Sequence, residues 1–200
     1  MKQVQVEVAS DVVCPWCYIG KKRLDKARAL LKDDLSLKVR WLPFQLNPDM
    51  PAQGMPRADY RKAKFGSLER SRALDARVMA EGRGEGIEFA FERIERTPNT
   101  ARAHRLIALA EDQDAVVTAL FKAYFEEARD IGDPKVLAEI AAQCGVQGWP
   151  EKARDVAALE SEVREMGISA VPTFIFERKT GVAGAYPPEQ LAAAIRDASR

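Results

Sequence analysis

Two stretches near the start of the chain alternate apolar and polar residues, the two-residue period of a half-buried strand. Val4, Val6 and Val8 share one face of the first, whose other face carries Gln3, Gln5 and Glu7. Its polar face makes Glu7 a poor candidate for a buried acid. Leu37, Val39 and Trp41 alternate with Lys38 and Arg40 in the second, and Pro43 stops it. Between them Ile19, Leu24, Ala27 and Leu31 recur at helical spacing from Pro15 until Asp33-Asp34. Strand, helix and strand in so short a span predict a βαβ unit with parallel strands and a right-handed crossover.

The next stretch breaks the pattern. Residues 47–56 hold three prolines and a glycine, a loop or hinge composition. From 57 to 143 no strand pattern emerges, and helices are predicted over 58–81, 99–111, 114–130 and 134–143. Asp133 before Pro134 is a cap-then-proline helix start. Helical character resumes over 150–167 and closes at Gly167. Residues 171–176 then read as a buried strand opening with a proline, 181–186 as its hairpin partner, and 187–198 as a helix with Leu191, Ala194 and Ile195 on its apolar face. The first two strands alone cannot cover a stable core, so the chain ends must meet. The expectation is one α/β domain made of 1–56 and 150–200, interrupted by an all-helical insertion, 57–149.

Composition narrows the function. The 200 residues carry 31 Lys+Arg against 30 Asp+Glu, a net charge of +1. That balance gives no electrostatic case for nucleic acid or an anionic membrane. No apolar run approaches the ~20 residues of a membrane span. The alternating N-terminus lacks the apolar core of a secretion signal, so a cytoplasmic protein is expected. The arginines of 61–77 are interleaved with Glu69 and Asp75 and read as a solvated helix face.

Three cysteines are too few for a disulfide framework, and a close pair in a reducing compartment reads as metal-binding or catalytic. The pair is Cys14-Pro15-Trp16-Cys17, set where the first strand's turn becomes the first helix. There Cys14 meets unpaired backbone N–H groups and the positive end of the helix dipole, which favour a thiolate, at once nucleophile and leaving group. Cys17, one turn further in, suits a resolving thiol. Two other readings stand beside this one. Zinc would need four ligands, and only Cys144 and His104 remain as soft donors, far away in sequence. Two inert core cysteines would sit poorly at a strand-to-helix junction. Val171-Pro172 at the head of the late strand admits either a trans, strand-opening proline or a cis one.

Cys14–Cys17 after a first strand, with Val171-Pro172-Thr173 opening a later one, resembles the thioredoxin fold, and the helical insertion resembles the DsbA family. More narrowly, Ser10–Gly20, Phe44–Pro48, Asn99–Arg105, Gly167–Phe174 and Gly184–Glu189 are similar to the FrnE-like branch. That branch also contains relatives of 2-hydroxychromene-2-carboxylate isomerase and of kappa-class glutathione transferases. The resemblance implies a protein disulfide oxidoreductase or isomerase with Cys14 as nucleophile, Cys17 as resolving thiol, and Pro172 as a cis residue whose preceding Val171 backbone pairs with a bound peptide or thiol. Protein or small-molecule thiols and disulfides are the implied partners. No metal or organic cofactor is required, with glutathione a candidate redox partner or co-substrate, and the chain is a monomer or homodimer. The glutathione-using relatives typically carry serine in place of Cys14, so both cysteines together tilt the reading toward electron transfer. The alternatives are a glutathione-dependent isomerase or transferase acting on an aromatic or polyketide-like small molecule, and a non-catalytic binding module on the same scaffold.

Around this core, Trp16 would shield the disulfide and offer substrates an apolar contact. His104, on a predicted helix of the insertion, is a candidate hydrogen-bond donor to thiolate or substrate, against the commoner role of a core or surface histidine. Asn47 either lines the cleft or shapes its turn. Asp11 is a turn residue or a local proton acceptor, and Cys144 reads as a lone helix-end thiol.

Overall fold

The computed structural model describes residues 2–200. It comprises two compact units: residues 1–44 with 157–200, and residues 45–156.

In the first unit β1 (Lys2–Ser10) leads into α1 (Pro15–Leu31) and β2 (Leu35–Pro43). The two strands are parallel, with Val6 opposite Val39 and Glu7 opposite Arg40. Four strands form the mixed sheet. With β5 (Thr173–Phe176) and β6 (Thr180–Ala183) its order is β2-β1-β5-β6, the β5 pairings being antiparallel. Val4, Val6, Phe174 and Phe176 make an apolar face with essentially no exposure. α1 and the C-terminal α8 (Pro188–Ala198) pack on each other, α8 burying Leu191 and Ile195. This is the expected α/β thioredoxin fold.

In the second unit β3 (Met55–Pro56) precedes α2 (Arg57–Phe65) and α3 (Leu68–Gly84). A single 3-10 turn (Phe91–Arg93) and β4 (Arg96–Thr97) come next, then α4 (Ala101–Leu109), α5 (Gln113–Phe125) and α6 (Pro134–Gln143). Phe89 stacks on Phe91 with centroids 4.7 Å apart, and Phe125 meets both edge-on. The Asp133 carboxylate accepts from the Lys135 N–H at 2.8 Å, the anticipated cap.

Four expectations need correction. The helix predicted over 58–81 is two, because Gly66 turns left-handed at φ +85° and Ser67 starts α3 by accepting from the Arg70 N–H. The stretch predicted to lack strands contains β4, paired antiparallel with β3. The helix predicted over 150–167 is confined to α7 (Ala157–Glu165). The arginine-rich stretch is not wholly solvated. Asp75 is buried and binds both Arg57 and Arg61, whose side chains are 16% and 13% exposed.

Glu7 corrects the reading of its strand. It does project from the polar face, yet it is buried. The Arg178 guanidinium donates to both its oxygens at 2.9 Å, and Arg40 lies 3.4 Å from one. A buried carboxylate is tolerable only when paired in this way. Arg178 and Glu177 form the β5–β6 turn with φ of +55° and +53°. That geometry ordinarily selects glycine or asparagine. Here the Arg178 fork and a bond from the Gln5 N–H to the Glu177 carboxylate at 2.5 Å tie the turn to β1.

Candidate active site

β1 ends at Ser10, and the chain turns so that the Cys14 N–H donates to the Asp11 carbonyl at 3.0 Å. Asp11 is buried at this turn. Cys14 is the N-cap of α1, with extended backbone at φ −92°, ψ 112°, and Pro15 takes the first helical position. The Cys17 and Tyr18 N–H groups donate to the Cys14 carbonyl at 3.0 and 3.3 Å, closing the first turn. The Cys14 side chain therefore stands where the helix leaves its N–H groups unpaired.

Both thiols are buried, Cys14 at 5% and Cys17 at 1% exposure, and neither is bridged. Burial pushes the Cys17 thiol well up, and the adjacent Cys14 raises it further by hydrogen bonding and charge. The Ser10 hydroxyl and the Asp11 backbone offset part of that rise. Cys17 thus keeps its proton at neutral pH, while Cys14 occupies the helix cap.

Opposite them, the Val171–Pro172 bond is cis. Cys14 Sγ lies 3.9 Å from the Val171 carbonyl oxygen. Gly20, one turn beyond Cys17, lets this contact form. A β-carbon there would come within 3.0 Å of Pro172 Cγ and 3.2 Å of Phe174 Cζ. Gly20 closes the Ser10–Gly20 motif, but no local signal assigned it a role, since its neighbours Pro172 and Phe174 are distant along the chain. Trp16 is half-buried on the same turn.

Cys14, Cys17, Trp16, Val171 and Pro172 all come together in the first unit. Asn47 and His104 belong to the second. His104 is buried on α4, at 3% exposure. Asn47 opens a turn whose Met50 N–H donates to its carbonyl, while its side-chain oxygen accepts from Tyr60 Oη at 3.0 Å and Lys64 Nζ at 3.4 Å. Tyr60 and Lys64 were not picked out from the sequence. Cys144 caps the end of α6, and partial burial raises its pKa.

A cysteine pair beginning the first helix, beneath a cis proline that precedes a central strand, defines a CxxC protein of the thioredoxin fold. The model of the DsbA-like thioredoxin domain matches residues 5–196, so the chain belongs to that family and with it to the DsbA-like disulfide oxidoreductases and isomerases. It is 31% identical to the uncharacterised protein YwbO of Bacillus subtilis (strain 168), covering 97% of this chain and 96% of that protein. Among solved structures, the probable DsbA oxidoreductase SCO1869 from Streptomyces coelicolor matches with a TM-score of 0.86 and 30% identity, over 98% of this chain and 89% of the other. The cytosolic disulfide reductase DsbM from Pseudomonas aeruginosa, solved with GSH, shares the fold at a TM-score of 0.61 and 19% identity, over 98% of this chain and 95% of that one. No helix among the described residues is long and apolar enough to cross a membrane.

Proposed function

We propose that the protein is a cytoplasmic thiol–disulfide oxidoreductase or isomerase in which Cys14 is the nucleophile, Cys17 the resolving thiol, and the Val171 carbonyl before Pro172 a substrate-docking group. One observation carries this reading: Cys14 at the helix cap, 3.9 Å from the Val171 carbonyl, with protonated Cys17 buried behind it. The Cys14 thiolate attacks one sulfur of a substrate disulfide. That S–S bond breaks, a mixed disulfide forms, and the departing thiolate takes a proton from solvent. Cys17 then gives up its proton and attacks Cys14 Sγ, which releases the second substrate thiol and leaves a Cys14–Cys17 disulfide. The substrate gains two electrons and two protons; the enzyme gives up both electrons and the Cys17 proton, and solvent supplies the other proton. A thiol such as glutathione restores the dithiol, and reversal of the same steps oxidises a substrate dithiol. Trp16, half-buried beside the pair, supplies apolar contact to the substrate.

The cytoplasmic assignment is supported by DsbM, a cytosolic disulfide reductase that shares the fold. Cys14→Ser is expected to abolish insulin reduction, and Cys17→Ser to accumulate mixed disulfides detectable by mass spectrometry. Full activity in Cys14→Ser would refute the assignment.

A glutathione-dependent isomerase or transferase is the second reading. The polar group of Asn47, Tyr60 and Lys64 favours it, since an ammonium and an amide side by side suit a peptide carboxylate. On that reading His104 assists substrate binding. Saturable glutathione binding by the reduced protein, with isomerase activity surviving Cys17→Ser, would select it over electron transfer.

A further inference from the structure

The helical unit contains a cleft of about 490 Å³ between α2, α3 and the 3-10 turn, lined by none of the residues assigned to the cysteine chemistry. Arg57 and Arg61 from α2 and Asp75 from α3 form one wall, with Met79, Phe91 and Ile94 as apolar surface. This volume lies within the ~300–1,000 Å³ range of small-molecule pockets.

Its charges do not balance. Two guanidiniums, 16% and 13% exposed, share the single buried carboxylate of Asp75. The other charged lining residues, Arg72 and Glu92, are both exposed and offset each other. One cation is left over beside an apolar floor, where burial without a counter-ion is costly. Burial and the nearby Arg57 both pull the Arg61 pKa down.

The hydrogen bonds are also incomplete. Arg57 donates from Nη2 to Asp75 at 2.9 Å. Arg61 donates from Nη2 to Asp75 and the Ser71 carbonyl, and from Nε to the Ser71 hydroxyl at 2.6 Å. Arg57 Nε and Nη1 and Arg61 Nη1 have no acceptor among the described residues. Aromatic rings hold both planes in place: Arg57 lies 5.2 Å from the Phe91 centroid and Arg61 4.4 Å from that of Phe65. Fixed guanidinium forks with spare donors are suited to carboxylate or phosphate.

We propose that this cleft binds a small amphipathic anion, its carboxylate or phosphate on Arg57 and Arg61 and its apolar body over Met79 and Ile94. Calorimetric titration of the full chain with octanoate and with octyl phosphate tests this, using inorganic phosphate and octanol as half-ligand controls. One amphiphile is expected to bind one-to-one with a Kd of about 1 mM or tighter, and whichever is tighter identifies the head group. Each half-ligand should bind at least ~tenfold more weakly. Arg57→Gln should weaken binding by ~tenfold to ~hundredfold, the range for losing a charged hydrogen bond. Asp75→Asn removes the competing anion and should tighten binding. Met79→Trp fills the cleft while keeping all three charged side chains, and should abolish it. Absence of saturable binding by either amphiphile, or unchanged binding in Met79→Trp, would overturn the proposal. Because Met79→Trp retains Arg57, Arg61 and Asp75, a failure of Asp75→Asn to fold does not remove the test.

Discussion

Replacing Gly20 by alanine opposes two effects of known size at one atom. Gly20 lies inside α1, where exchange of glycine for alanine ordinarily gains ~1 kcal/mol of helix stability. The new methyl, however, would stand 3.0 Å from Pro172 Cγ, 3.2 Å from Phe174 Cζ and 3.5 Å from Pro172 Cβ. Neither neighbour yields easily: Pro172 is a ring next to a strand, and Phe174 is wholly buried in β5. Overpacking of this kind costs ~1–3 kcal/mol. The difference leaves Gly20→Ala destabilised by about 1 kcal/mol, read from urea unfolding of the reduced protein. The same displacement moves the Val171–Pro172 segment from Cys14 by a few tenths of an ångström. Since a 1 Å misplacement can cost ~10²-fold, insulin reduction should slow by about three- to fivefold. Gly84, in the last turn of α3, is the control, because a methyl there meets nothing within 4 Å. Gly84→Ala should be neutral or stabilising by up to ~1 kcal/mol, with activity unchanged. A Gly20→Ala variant stabilised by the full helix gain, at undiminished activity, would refute the idea that this glycine sets the approach of the helix to the proline.

Two further outcomes follow from burial and capping. Burial holds the Cys17 pKa above that of the unfolded thiol, so the folded state keeps a proton the unfolded state releases, and stability falls as pH rises past the ordinary thiol value of ~8.5. Urea midpoints of the reduced protein between pH 8 and 10 should show that decline, and Cys17→Ala should remove most of it; the part-buried Cys144 and the buried Tyr124, whose pKa values are also raised, contribute with the same sign and are separated by Cys144→Ala and Tyr124→Phe. Asp133→Ala removes the α6 cap and should cost ~1 kcal/mol by the same unfolding assay, whereas Asp133→Asn should restore most of it.

The sequence alone determined the parts whose signal is local. Alternation at Val4–Val8 and Leu37–Trp41 specified two strands, because neighbouring side chains on a strand point to opposite faces. Asp133-Pro134 marked a helix start, since both residues act on the N–H groups of their own first turn. Cys14-Pro15-Trp16-Cys17 at a strand-to-helix junction already contained the helix-cap placement of the nucleophile candidate, and the order of elements required the ends to share a sheet. The break at Gly66-Ser67 was also written locally, a glycine stop followed by a serine start, but the helical pattern on either side masked it.

What only the tertiary structure decided depends on partners distant in sequence. Glu7 is buried because Arg178, brought back by the β5–β6 turn, and Arg40, opposite it in the β1–β2 register, neutralise it. No periodicity in β1 encodes either partner. β3 and β4, two residues each, are too short for any period and exist only as a pair. Arg61 and Asp75 looked solvated because charge runs usually are, and only the packing of α2 on α3 turned them, together with Arg57, into a half-buried cluster with a spare cation. The meeting of Cys14 with the Val171 carbonyl joins residues that sequence cannot place at a distance, since that requires the sheet to form and α1 to settle onto β5 at a glycine. Local chemistry chose the groups, and long-range packing set which of them touch.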